Sequence, residues 1–350
     1  MLHFVLTRKP GARTINAKTT LRLPLYGVFF AVLLVALTMT ACRRAGSTGP
    51  TPIPSATATP RSTPLPALAT DVPIGVETNP IRMVLRPQGA EAGARSAANA
   101  LATALEEETG LTIDVETVDR YAEALAALCE SVTNRITVAW VDGPTYMAAL
   151  AQGCGMPALA VERGSGSNAS TGLPAQIIAS STLNVEDIAG LTNRDFCRLD
   201  ATDFYSWFVP SLVLRANGLD PVEDLRSVTD YEDEVELVTA VAEGRCAATG
   251  IIPTIFDDIE VLETVRDDIT VVETTVPFPF DILMYPPETP LGVRVALTDA
   301  LVAMSNSTTG ERTLSSLLDQ DSLTRVEPDD FDEFADFMNS TGLDFATLGN

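Results

Sequence analysis

The chain has 350 residues, and its 47 Asp and Glu outnumber 23 Lys and Arg to give a formal charge of -24, which argues against a nucleic-acid partner and leaves room for two ordinary domains. Hydrophobic residues make up 46%, enough to build cores, so wholesale disorder is excluded as well. Residues 1–41 hold Arg8, Lys9, Arg13, Lys18 and Arg22, no carboxylate, and the single histidine, His3. Beyond them all 18 basic residues are arginines, facing the same 47 carboxylates for a net of -29. Without imidazole or ammonium groups in the body, Ser/His/Asp and Cys/His hydrolases, lysine Schiff-base enzymes, Walker-type nucleotide sites and His-ligated zinc centres are excluded.

Residues 1–24 are basic and polar, and residues 25–39 form an apolar run of about fifteen residues, signal-peptide length and short for a spanning helix. The run ends in Met39-Thr40-Ala41-Cys42, which resembles the lipobox of bacterial lipoproteins. Cys42 would then carry the lipid and become the mature N-terminus once the signal peptide, residues 1–41, is removed. A retained N-terminal anchor and plain secretion are the alternatives, and every one of them puts the body outside the cytoplasm. Residues 42–78 read as a tether, because across residues 43–80 the prolines 50, 52, 54, 60, 64, 66, 73 and 80 interleave with Thr, Ser and Ala. Polyproline-like chain rises about 3.1 Å per residue, so roughly 35 residues can hold a domain on the order of 100 Å from a membrane.

The body opens with a strand at 81–85 ended by Arg86-Pro87-Gln88-Gly89, then a helix over 94–108 closed by Gly110, where apolar and small residues recur at helical spacing. An alternating strand follows at 111–118, a helix at 121–128, a strand at 135–141 and a helix at 145–152. Residues 162–174 are a polar loop before a strand at 175–180. A second unit repeats the grammar: a short helix at 185–190, a strand at 194–199, a helix at 206–217, a helix at 232–243, and strands at 245–252 and 269–274. Amphipathic helices at 289–306 and 329–339 end the chain, the second very acidic. Strands alternating with helices at these intervals predict an α/β architecture with a parallel, doubly wound sheet.

Apart from Cys42, the cysteines are Cys129, Cys154, Cys197 and Cys246, an even set that in an oxidising compartment favours two disulfides over thiol chemistry, with three pairings open. Cys154 lies between Gly153 and Gly155, but no histidine is present to activate it as a nucleophile.

Several short stretches, in order, carry a resemblance: IRMVLRPQG (81–89), VDRYAEALAAL (118–128), ITVAWVDGPTYMAAL (136–150), VEDIAGL (185–191) with Asp200 and Pro210, VTAVAEGRCAATG (238–250) and VPFPFDIL (276–283). Together they resemble the phosphate/phosphite/phosphonate-type solute-binding lipoproteins of bacterial ABC importers, which have a type 2 periplasmic-binding fold. The resemblance implies two lobes, each a doubly wound mixed sheet, joined by hinge strands near 176 and 274. Residues 79–175 plus 275–350 would form the first lobe and 176–274 the second. Pairing Cys129 with Cys154 and Cys197 with Cys246 keeps each bridge within one lobe. The function implied is binding of a small solute between the lobes and delivery to an ABC permease, by a monomer anchored to the membrane through its N-terminal lipid, without catalysis, cofactor or metal. No spaced Asp/Asn/Gly loop for Ca²⁺ is present. The alternative is a tethered extracellular sensor or scaffold with the same fold.

Two departures from the family bear on the ligand. Where it has a Ser-Thr-Ser-Gly turn that cradles an anion on a helix N-terminus, this chain has Asp203-Phe204-Tyr205-Ser206, and its Ser-His-Asp is replaced by Asp233-Glu234-Val235. A carboxylate where a phosphonate oxygen would sit repels it at a cost of several kcal/mol. The cleft residues carried over by position are Arg86, Tyr121, Asp142, Thr145, Tyr146, Asp203, Tyr205 and Trp207, a lining that suits a neutral or cationic organic solute. Packing explains the aromatics equally well, an N-cap role explains Asp203, and Arg86 has either an acidic ligand group or Asp142 to pair with. Trp140 reads as core, and the acidic stretch 328–338 as either a solvated face or a permease-docking face.

Overall fold

The computed structural model describes residues 73–88 and 91–348. The signal peptide, Cys42 and the tether up to residue 72 lie outside the described residues. Residues 73–78, read from sequence as the end of the tether, fold onto the body. Gly75 N–H donates to the Asn79 carbonyl at 2.9 Å, Thr112 N–H to the Gly75 carbonyl at 2.9 Å, and Ile74 packs on the core of the first sheet.

In chain order the first unit runs β1 (Ile81–Leu85), α1 (Glu91–Thr109), β2 (Ile113–Thr117), α2 (Tyr121–Cys129), β3 (Thr137–Val141), α3 (Gly143–Gln152), β4 (Met156–Glu162) and the two-residue β5 (Gly172–Leu173). The second runs β6 (Gln176–Ser180), β7 (Asp195–Arg198), α4 (Val209–Ala216), β8 (Ser227–Asp230), α5 (Glu234–Ala242), β9 (Ala248–Ile251), α6 (Ile255–Asp258) and β10 (Ile269–Thr274). The chain returns through β11 (Phe278–Pro279), β12 (Ile282–Tyr285), α7 (Leu291–Ser305), α8 (Thr308–Leu318), β13 (Ser322–Arg325) and α9 (Asp332–Ser340).

Two mixed sheets result. The six-stranded one has the order β13-β4-β12-β3-β1-β2 and the five-stranded one β10-β6-β9-β7-β8. β1 pairs in parallel with β2 and β3, while the late strand β12 inserts antiparallel between β3 and β4. In the second sheet β7 pairs in parallel with β8 and β9, and β6 runs antiparallel to β9 and β10. Strand burial follows position: β3 (TVAWV), in the interior of its sheet, is buried at every residue, whereas the edge strand β2 buries only Ile113, as expected for one-sided packing.

The chain crosses between the sheets twice, and the two crossings are hydrogen-bonded to each other. β5 and β11 pair antiparallel, Leu173 opposite Phe278 and Gly172 opposite Pro279. Thr275 N–H donates to the Ala175 carbonyl and Phe280 N–H to the Thr171 carbonyl, both at 2.9 Å. The approach is close enough that a Cβ on Gly172 would meet the Phe278 carbonyl oxygen at 2.5 Å. Behind the first sheet, Leu101 and Leu105 of α1, Leu297 and Leu301 of α7 and Leu314 of α8 form one core. A second core is shared by both sheets, taking Val84, Ala139, Phe196 and Ala248 together with Phe331, Phe334 and Met338 from the C-terminal segment.

Disulfides join Cys129 to Cys154 and Cys197 to Cys246, 25 and 49 residues apart. The first ties the end of α2 to the turn after α3, and the second ties β7 to the turn before β9. Loop-closure arithmetic gives each about 3–4 kcal/mol of stabilisation. Dithiothreitol is therefore expected to lower the melting temperature by well over ten degrees; an unchanged melt would contradict that contribution.

Candidate functional site

A carboxylate enters the interior at the start of β12. Asp281 is 4% exposed, and Tyr121, the first residue of α2, donates its hydroxyl to Asp281 Oδ1 at 2.5 Å. Gln88 Nε2, just past β1, donates to Asp281 Oδ2 at 3.0 Å and also to the Tyr121 hydroxyl oxygen. Burial, only partly offset by these hydrogen bonds, pushes the Asp281 carboxyl up to about 6, and the charge of Asp142 adds to the rise. Tyr121 is raised by burial first and then by the charges of Asp281 and Asp142. The Arg86 guanidinium lies 5.2 Å from the Tyr121 ring centroid, and its Nε donates to the Asp119 carbonyl at 3.2 Å.

Asp142 follows β3 and caps α3, its Oδ1 accepting the Thr145 N–H at 2.9 Å. Pro144 in the first turn and Gly153 with φ 68 at the far end complete the start and stop signals of this helix. Burial also raises the Asp142 carboxyl, while Thr145 and the more distant Arg86 charge pull it down. Among the described residues neither Arg86 nor Asp142 makes an ion pair.

Facing this from the second sheet is an aromatic turn, residues 204–208, wound as a π-turn that runs straight into α4. Asp203 caps it: its Oδ1 accepts the Ser206 N–H and the Ser206 hydroxyl, each at 2.6 Å. Ser206 Oγ in turn accepts the Leu199 N–H at 3.0 Å. The turn packs tightly on β9, since a Cβ on Gly250 would meet the Tyr205 carbonyl oxygen at 2.2 Å and Pro210 Cγ at 2.3 Å. Between α2, α3 and this turn lies a cavity of about 310 Å³ lined by Leu125, Asp142, Thr145, Thr202, Phe204 and Phe208, with Leu348 on its wall.

Of the residues expected from sequence, only Asp142 and Thr145 line the cavity. Arg86 and Tyr121 meet each other near Asp142, and Asp203 lies between the lining residues Thr202 and Phe204 without lining the cavity itself. Tyr205 sits edge-on to Phe204 with ring centroids 5.0 Å apart. It is raised by burial, against which the Arg163 charge acts. Two candidates point elsewhere. Tyr146 is 1% exposed, packs on Phe331 with centroids 5.0 Å apart, and is pushed up to about 12 by burial and then by Asp332 and Asp330. Trp207 packs on Phe196 under the Arg198 guanidinium at 4.5 Å, itself paired with Asp230 at 2.7 Å. Sequence reasoning missed Gln88, Asp281, Phe204 and Phe208. The signal for Asp281 was a single carboxylate inside the apolar run VPFPFDIL. Among the described residues no cluster of three metal-ligating side chains occurs, and no helix is long and apolar enough to cross a membrane.

Residues 83–331 match the family of periplasmic substrate-binding proteins of phosphonate ABC transporters. The chain belongs to that family. The family places it outside the cytoplasm, binding a small-molecule substrate for an ABC permease. Among solved structures it is similar to XAC2383 from Xanthomonas citri bound to chloride, at 12% identity over 75% of this chain and 97% of that one, with a TM-score of 0.55. A binding protein component of an ABC phosphonate transporter from Pseudomonas aeruginosa matches at 14% identity over 75% and 87%, with a TM-score of 0.48. No curated protein matches the chain.

Proposed function

We propose that this substrate-binding protein is a lipoprotein tethered through Cys42 that binds a small neutral or cationic solute, not a phosphonate, between two lobes. Residues 79–175 with 275–350 form one lobe, residues 176–274 the other, and the β5/β11 ladder is the hinge about which they open and close. The monomer hands its solute to the permease, with no catalytic step.

The observation that carries the ligand reading is the occupied cap of the aromatic turn. A helix N-terminus attracts an anion when its N–H groups are free. Here the Ser206 N–H and hydroxyl are already taken by the Asp203 carboxylate, and a second anion would meet that charge at close range. Asp142, on the opposite wall of the cavity, adds to the repulsion.

Thermal-shift screening of the purified chain against metabolites tests this reading, because a ligand that binds the folded state raises the melting temperature by mass action. Stabilisation by neutral or cationic compounds, and none by phosphate, phosphite or alkylphosphonates, is the expected result. Stabilisation by a phosphonate would overturn the ligand reading, and no stabilisation by any compound would overturn solute binding itself.

A second reading, a tethered sensor with the same fold, draws on the aromatic cluster that joins the sheets. Phe204 meets Phe278 at 5.7 Å, and Phe278 meets Phe334 at 5.2 Å. A packed junction of this kind can hold the two sheets in one fixed arrangement, whose outer surface a partner reads.

A further inference from the structure

Resting on the reading of a solute site between the sheets, we propose that the cavity beside Asp142 takes an aryl-alkyl amine: an ammonium group on the Asp142 carboxylate, with an apolar tail against Phe204, Phe208 and Leu125. The lining fixes the chemistry. At about 310 Å³ the cavity lies at the small end of the roughly 300–1,000 Å³ typical of ligand sites. Its walls are mostly apolar, from Leu125, Pro144, Ala148 and Leu348 on one side to Phe204 and Phe208 on the other. Phe204 and Phe208 stack with centroids 5.5 Å apart and planes inclined by 28°, giving a flat aromatic wall for an aryl ring or an alkyl chain.

The polar groups of the lining are Asp142, Thr145 and Thr202. No arginine lines the cavity among the described residues, although all the basic residues of the body are arginines. Asp142 accepts an N–H from its own helix yet makes no ion pair among the described residues. A carboxylate buried beside apolar walls, reached by the Arg86 charge only from a distance and paired with no cation, keeps most of its charge uncompensated, and a ligand ammonium supplies what is missing through a charge-assisted hydrogen bond. The hydroxyls of Thr145 and Thr202 accept its remaining N–H groups. A phosphonate meets no cation in this lining, and the Thr202 hydroxyl already donates to Asp200 Oδ1 at 2.7 Å, while a neutral alcohol forgoes the charge-assisted bond.

Three probes that share a phenethyl group test this on the purified full chain by calorimetry: phenethylamine, 2-phenylethanol and 2-phenylethylphosphonate. The amine is expected to bind at least tenfold tighter than the alcohol, and the phosphonate not at all. Asp142→Asn keeps the cap, since asparagine also accepts the Thr145 N–H, and removes only the charge. It is expected to erase the gap between amine and alcohol while leaving alcohol binding unchanged. Phe208→Ala is expected to weaken amine and alcohol alike. No amine binding, or amine binding unaffected by Asp142→Asn, overturns the amine assignment even if the metabolite screen finds another ligand. Failure of every compound in that screen would instead remove the solute site as a whole.

Discussion

Replacing Phe278 by alanine is expected to remove about 3–5 kcal/mol of stability, the range for emptying a buried phenylalanine site. Phe278 is 1% exposed and sits in the β5/β11 ladder opposite Leu173. Its ring meets three others edge-on: Phe204 of the aromatic turn at 5.7 Å, Phe334 of α9 at 5.2 Å and Phe337 of α9 at 5.7 Å. Each such pair adds about 0.5–1.5 kcal/mol beyond area burial, so one side chain joins the crossing strands, the second-sheet turn and the C-terminal helix. Urea unfolding should show a lower midpoint with an unchanged slope, and Phe278→Leu, which keeps most of the volume, should lose less than half as much. A loss below about 1 kcal/mol for the alanine variant would mean that the sheets do not share a packed core at this point.

Asp281→Asn is expected to change how stability depends on pH. The folded protein holds the Asp281 carboxyl at about 6, against the ordinary aspartate value of 3.8. A raised folded value means that the protonated form is favoured by the fold. Its stabilisation is therefore fully present below about pH 4 and is lost as pH rises through about 6. The two-unit rise corresponds to about 3 kcal/mol at 1.36 kcal/mol per unit. Asparagine remains neutral, and its amide oxygen still accepts from Tyr121. Melts from pH 4 to 8 should show the variant gaining on the wild type by up to that amount as pH increases. Asp195, held down to about 2 by Arg226 and Ser227, works in the opposite direction in both proteins and cancels from the comparison. Parallel curves for the two proteins would contradict a buried, raised carboxyl.

Much of the framework was legible because it is local. The strands at 81–85 and 269–274 stand where the sequence put them, and α2 and α3 agree to within two residues, since Asp142, Pro144 and Gly153 announce the boundaries of α3. What the sequence hid is non-local. β12 (ILMY) was read as part of a proline turn, yet it is fully buried in the interior of the six-stranded sheet, and only its pairing with β3 and β4 across more than a hundred residues makes it a strand. β4, β8, α8 and β13 were not read, only Glu162 of β4 falling in the loop assigned to 162–174. The four-residue β8 and β13 are of mixed polarity and carry little periodicity, whereas α8 buries Gly310, Leu314, Leu317 and Leu318 at helical spacing and was legible. The site divides in the same way. Asp203 was legible as a cap, and it does cap the aromatic turn; its neighbours Thr202 and Phe204 line the cavity, whereas Asp203 does not. Gln88 and Asp281 meet across 193 positions, a contact that no local pattern encodes.

We infer that this phosphonate-family protein has closed the anion site of its family with its own carboxylate, Asp203, and calorimetric titration of the purified chain with methylphosphonate is the decisive test. With Ser206 capped by Asp203 and Asp142 on the opposite wall of the cavity, no saturable heat is expected up to millimolar ligand. A one-to-one isotherm with micromolar affinity would show that the cap yields to an external anion, and would contradict the account.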